Sequence, residues 1–221
     1  MLTRIFIRHS KLNLPYSSHA DMPFETLVSL GNGTLDPPID PLFFEKQRTY
    51  IEKNLLCYPF RHMVVSPSTR TQTTAAAFME NIPLDKRHEY VLHSSEDLRE
   101  IMFDLNALYP LADHSPVDIS LVNESVLRAV GEQRVGCESV SSVQDRIESV
   151  IRLSSHGALK HDTILFVTHG FFMAVFETAI RKGRNTGITY NNLQQAINYK
   201  YLEGFATNSD FSVLVPIRRL S

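Results

Sequence analysis

The sequence predicts an α/β protein, a three-layer α/β/α sandwich with a mostly parallel central sheet and a small cover formed by inserted segments. Short β-branched apolar runs alternate with longer stretches of helical period. Two of the runs, residues 2–7 and 163–167, are apolar almost throughout, as strands buried on both faces must be. Three runs end in a basic group, an imidazole or a helix-starting turn at the edge where open α/β sheets bind ligands. With 221 residues and 43% hydrophobic content the chain can bury one large core. Residues 1–221 are therefore read as a single domain, with 11–60 and 96–137 covering a site.

The elements follow in order. Residues 2–7 form the first strand, and Arg8-His9 sit just beyond its carboxyl end. Residues 11–40, rich in Pro, Gly, Ser and Asn and closed by Asp36-Pro37-Pro38-Ile39-Asp40, read as a long loop of the functional kind. Phe43, Phe44, Tyr50, Ile51 and Leu55 give residues 41–56 a helical pattern. His62-Met63-Val64-Val65 is a second strand that breaks at Ser66-Pro67. Ser68 or Thr69 then caps a helix running through Ala75, Phe78 and Met79 and ending before Pro83. Residues 88–92 read as a third strand, followed by a polar, irregular cover anchored by Leu98, Ile101, Met102 and Phe103. Val140, Val143, Ile147, Val150 and Ile151 mark a helix over 139–153 that Gly157 would stop. Residues 163–167 are the most strand-like run; they lead into Thr168-His169-Gly170, then a helix over 171–181 with Gly183 beyond it. After a turn at Asn208-Ser209-Asp210, residues 211–217 supply the last strand.

Composition excludes several functions. A net charge of −2 gives no footprint for nucleic acid or an anionic membrane, so any anion is held by a local pocket. The first seven residues are too short for a signal peptide and no run approaches a membrane span, which sets the cytoplasm as the expected location. Cys57 and Cys137 lack CxxC spacing and read as small, partly buried apolar residues. His19, His62, His88, His93, His114, His156 and His161 show neither HxH nor HExxH spacing, so no metal and no cofactor is expected. No pattern specifies an oligomeric state.

The chemistry-bearing residues fit phosphoryl transfer. A phosphate monoester carries nearly two negative charges, which the planar donors of Arg8 and Arg70 suit better than lysines would. Helix amino ends after Ser66-Pro67 and after His169-Gly170 can add backbone N–H groups. His9 is the candidate nucleophile, since an imidazole with a reference pKa of roughly 6.5 beside guanidiniums favours its neutral form. His169 would stabilise charge on the transferring oxygens. Glu100 is the candidate general acid, because a carboxyl beside a phosphate dianion is more readily protonated; Asp97 and Asp104 are its alternatives. Ser10, Lys11, Asn13 and Gly170 complete the candidate binding set, with Lys11 equally readable as a solvated loop residue. Ser66 reads as a turn former, having no GxSxG surround. Phe171, Phe172 and Phe176 read as a core face.

Taken together these segments resemble the histidine phosphatase superfamily, the phosphoglycerate-mutase-like proteins. Ile5-Phe6-Ile7-Arg8-His9-Ser10 is similar to the family's opening Arg-His-Gly signature, and Ser66-Pro67-Ser68-Thr69-Arg70 with Thr74-Ala75 to its Ser-to-Arg segment. Leu98-Arg99-Glu100-Ile101 resembles the acid-bearing segment of the phosphatase branch, and Val167-Thr168-His169-Gly170 the second histidine motif. Residues 208–213 look like the family's closing Asn and final strand. The chain departs from the pattern at Ser10 and Lys11, at Asn13, around Asp36-Pro37-Pro38, and at Phe103-Asp104-Leu105. The resemblance implies metal-independent hydrolysis of a small phosphorylated metabolite through a phosphohistidine. Two alternatives stand beside that expectation. One is a non-catalytic phosphate-ester-binding regulatory protein; the other is a phosphohistidine protein phosphatase or a mutase, the latter demoted because no paired arginines occur mid-chain.

Overall fold

In the computed structural model, which describes residues 1, 3–108, 118–155, 159, 162–184 and 187–218, six strands form one sheet. They are β1 (Arg4–Arg8), β2 (His62–Val65), β3 (Val91–Ser94), β4 (Ile164–Thr168), β5 (Gly204–Thr207) and β6 (Leu214–Ile217), in spatial order β3-β2-β4-β1-β5-β6. The β3-β2-β4-β1 run is parallel, whereas β5 and β6 join antiparallel. The helices are α1 (Phe24–Gly31), α2 (Pro41–Lys46), α3 (Arg48–Asn54), α4 (Thr69–Glu80), α5 (Leu105–Leu108), α6 (Ile119–Gly131), α7 (Val140–Ser155), α8 (Gly170–Lys182) and α9 (Tyr190–Leu193). None is long and apolar enough to cross a membrane.

Strand alternation makes the three layers. Successive side chains of β1 point to opposite faces, so Phe6 packs with Phe166 and Phe205 against Ile147, Phe172 and Phe176 of α7 and α8. Ile5 and Ile7 instead join Val65 and Val167 against Ile51 and Phe78 of α3 and α4. Phe6 stacks on Phe166 with ring centroids 4.3 Å apart and on Phe205 at 4.9 Å, which ties the parallel and antiparallel halves through one residue. A third, smaller cluster of Phe24, Leu27, Phe103, Leu105, Val122 and Val126 lies under the cover.

Several elements differ from the sequence reading. Residues 11–40 are not loop throughout; they contain α1, whose Phe24 and Leu27 are buried in the third cluster. The helix expected over 41–56 is two helices meeting at Gln47, the first capped by Asp40 through Leu42 N and Phe43 N. The third strand is displaced to Val91–Ser94, because Pro83 opens a 3₁₀ segment, Leu84–Glu89, that consumes His88. The cover is not irregular: it holds α5 and α6, and Leu98 and Ile101 are completely buried while Met102 is exposed. β5 escaped notice since it is four residues opening on a glycine, and β6 starts later than 211 because Phe211 takes a left-handed φ of 62° in the preceding turn. Cys57 is exposed rather than partly buried; Cys137 is half-buried. Gly157, His114, His156 and His161 lie outside the described residues.

Candidate active site

Strand register brings the two histidines together. β1 and β4 are parallel neighbours with Arg8 opposite Thr168, so the next residues, His9 and His169, leave the sheet side by side. The His9 N–H donates to the Thr168 carbonyl at 2.9 Å, and the two imidazole centroids are 5.3 Å apart. β2 ends opposite Val167, which places Ser66 and the start of α4, with Arg70, on the other side of His169.

Hydrogen bonds fix both tautomers. The His9 Nδ1 lies 2.7 Å from the Ser10 carbonyl, an acceptor only, so Nδ1 carries the proton and Nε2 keeps its lone pair. The Arg70 Nε–H donates to His169 Nδ1 at 3.2 Å, so His169 carries its proton on Nε2 and donates it to the hydroxyls of Ser66 (2.9 Å) and Ser68 (3.3 Å). Both imidazoles are held well below the ordinary 6.5, by burial first; Arg8 and Arg70 then act on His9, and Arg70 followed by His9 and Arg8 on His169. Burial thus contributes more than the guanidiniums on which the sequence reading rested.

The guanidiniums are partly engaged. Arg8 donates Nη1–H to the Tyr199 carbonyl at 2.8 Å and lies 4.5 Å above the ring of Tyr201, while its Nε is buried without a partner among the described residues. Gly170 lies against this guanidinium, where a Cβ would make ordinary contact at 3.4 Å. Arg70 pairs with Asp36 at 2.9 Å, and the other Asp36 oxygen accepts from Thr69 N at the amino end of α4.

Glu100 caps α8. Its carboxylate accepts from Phe172 N at 2.8 Å and Phe171 N at 3.3 Å, and also from Ile101 N, replacing a side-chain cap that His169 does not supply. Both helix amino ends expected to offer N–H groups to an anion are consequently already met by protein carboxylates. The segment carrying Glu100 is held by Arg146, which donates to the carbonyls of Arg99 (2.7 Å) and Asp97 (3.3 Å) and pairs with Glu138 at 2.7 Å.

One cavity of about 250 Å³ joins these groups, lined at one end by Arg8, His9, Arg70, Glu100 and Gly170. His169 sits behind that lining, fully buried. Of the three candidate carboxylates only Glu100 reaches the cavity; Asp97 accepts from the Ser149 hydroxyl and Asp104 from Asn106 N at the start of α5. Ser10 is buried, held by Thr74 Oγ1 on its N–H, and Lys11 and the exposed Asn13 lie outside the lining. Phe172 and Phe176 are core residues as expected, but Phe171 is half-buried and faces the cavity. The sequence reading missed Asp36, His19 and Tyr201. Asp36 stood in a segment read as the close of a long loop and as a departure from the family pattern, His19 had no partner at readable spacing, and nothing marked Tyr201, which reaches Arg8 from a loop before β5.

Comparison with known proteins gives the family and the fold. A family model, the histidine phosphatase superfamily (branch 1), matches residues 30–196. No curated protein matches the sequence. Among solved structures, mycobacterial glucosyl-3-phosphoglycerate phosphatase is 17% identical, with a TM-score of 0.55 over 96% of this chain and 94% of that one. A protein described as mycobacterial hydrolase 2 is 20% identical (TM-score 0.57, covering 96% and 86%). Bacillus stearothermophilus YhfR is 17% identical (TM-score 0.58, covering 93% and 91%). At such identities these likenesses are ones of fold, whereas the family match spans most of the chain and includes Arg70, Glu100 and His169. This chain belongs to the histidine phosphatase superfamily, branch 1.

Proposed function

We propose that the protein is a phosphatase that hydrolyses a small phosphomonoester through a phosphohistidine on His9, without a metal ion. The observation that carries this reading is the His9 tautomer: Nδ1–H is fixed on the Ser10 carbonyl, so a neutral Nε2 lone pair is presented beside two guanidiniums in a cavity.

Arg8 and Arg70 bind the phosphoryl oxygens, and Gly170 lines the cavity beside them. Entry of a dianion competes with Asp36 for Arg70, and His169, beside His9, turns its Nε2–H from the Ser66 and Ser68 hydroxyls to the transferring oxygens as charge spreads over them. His9 Nε2 attacks phosphorus as the ester P–O bond breaks, and the leaving oxygen takes a proton from Glu100. Water then attacks the phosphohistidine and gives its proton to Glu100, the P–N bond breaks, and phosphate and neutral His9 are released. Ser10, Lys11 and Asn13, outside the cavity lining, are assigned no contact with the phosphoryl group.

Release of phosphate from 4-nitrophenyl phosphate tests the reading, with EDTA in one arm and the His9→Ala variant in another. Wild type should turn over equally with and without EDTA, and the variant should lose activity. Loss of wild-type turnover in EDTA would overturn metal independence, and full activity in the variant would overturn the nucleophile. The Asp36–Arg70 pair favours a second reading, in which the chain binds phosphate esters without cleaving them. Stoichiometric ester binding with no phosphate release would establish that one instead.

A further inference from the structure

Apart from the groups around His9, the cavity lining is mostly apolar. Leu27 and Leu30 of α1, Val122 and Leu127 of α6, and Phe103 and Phe171 form its wall. Phe103 meets Phe171 edge to face with centroids 5.5 Å apart, and Gly31 is the residue that lets α1 come close, since a Cβ there would stand 2.4 Å from the Phe103 ring. The third hydrophobic cluster thus continues from beneath the cover into the cavity surface.

Polar groups on the lining are few. Among the lining residues the charged or titratable side chains are Arg8, His9, His19, Arg70 and Glu100, and the amides are Asn123 and Asn198. His19 adds no cation, because burial and then Arg8 lower it to about 4. Every positive charge on the lining therefore belongs to the two arginines beside His9. A second anionic group on a substrate would meet no counter-charge here, and sugar hydroxyls would lose water against leucine and phenylalanine with two amides as replacement.

Resting on the phosphatase reading, we propose that the substrate is the phosphate monoester of an apolar, uncharged alcohol, whose hydrocarbon part is buried between α1 and α6. Specificity then comes from desolvating carbon rather than from recognising hydroxyls or a second anion.

The test is a homologous series of primary alkyl phosphates, which share leaving-group chemistry and differ in buried carbon. The kcat/KM for phosphate release should climb from ethyl to hexyl phosphate by about fourfold per methylene. Hexyl phosphate should exceed glucose 6-phosphate, also a six-carbon primary ester, by about a hundredfold. Ile197→Ser, at a half-buried position on the lining, should lower the hexyl-to-ethyl ratio, a quantity independent of how much enzyme is folded. Calorimetric binding of ethylphosphonate and hexylphosphonate, which cannot be hydrolysed, separates the two levels of the argument. A chain-length gain in binding with no turnover of any phosphate would sink the phosphatase reading and keep the apolar pocket. Turnover with a flat series, or with glucose 6-phosphate or 3-phosphoglycerate preferred, would overturn the apolar substrate and keep the phosphatase.

Discussion

His9 illustrates how one side chain takes its chemistry from its neighbours. Its proton is located by a carbonyl one residue away and its neutrality by burial and two arginines. The same burial has a consequence for stability. His9 and His169 lie well below 6.5 and His19 at about 4, so the unfolded chain binds protons that the folded chain refuses. Above pH 6.5 these groups leave stability unchanged; as pH falls below that value they destabilise the fold, and the contribution of His19 is complete once pH has passed 4. Thermal unfolding from pH 8 to 4 should show a level Tm and then a decline, and His19→Gln should remove from the declining limb up to about 1.4 kcal/mol per pH unit. An unchanged decline in that variant would contradict the half-buried, neutral His19. Asp36 acts in the opposite sense, since it pairs with Arg70 where an anion must bind. Asp36→Asn should tighten inhibition by inorganic phosphate roughly tenfold, and weaker inhibition would show that the carboxylate orients Arg70 instead.

At the scale of elements, two junctions position the site. β5 lies so close to β1 that a Cβ on Gly204 would stand 1.7 Å from the Phe6 carbonyl oxygen, so no side chain fits without separating the strands. Gly204→Ala should cost more than about 2 kcal/mol in denaturant unfolding, and a loss under 0.5 would mean the strands tolerate separation. Arg146 ties α7 to the segment carrying Glu100 and pairs with Glu138, whose side chain is 6% exposed. Arg146→Ala removes the buried partner of that carboxylate, leaving it the more exposed Arg99 and the Ser142 hydroxyl, and should destabilise by about 2 kcal/mol; a neutral effect would indicate that those two partners suffice for Glu138. The long, periodic elements were readable from sequence: α4, α7 and α8 carry their own apolar stripes and β1, β2 and β4 their own apolar runs. What escaped depends on tertiary context. α1 is hidden among Pro, Gly and Ser because its apolar residues serve only the small cover cluster, and β5 takes its strand character from pairing with β1 and β6.

For the molecule as a whole, the parallel sheet does the assembling. Adjacent strands β1 and β4 each deliver a histidine at one edge, β2 leads to Arg70, and the cover lowers Glu100 and an apolar wall onto the same cavity. The histidines, both arginines and the carboxylate were legible because each ends a motif; Asp36 and Tyr201 were not, since their roles arise from contacts across 34 and 193 positions of chain. The measurement that tests the account most directly is a trap of the covalent intermediate. The protein is mixed with a ³²P-labelled aryl phosphate, quenched in base during turnover, digested and mapped. The account predicts acid-labile label on the peptide containing His9 and none in His9→Ala. Label on another residue, or steady turnover with no phosphoenzyme at any quench time, would contradict it.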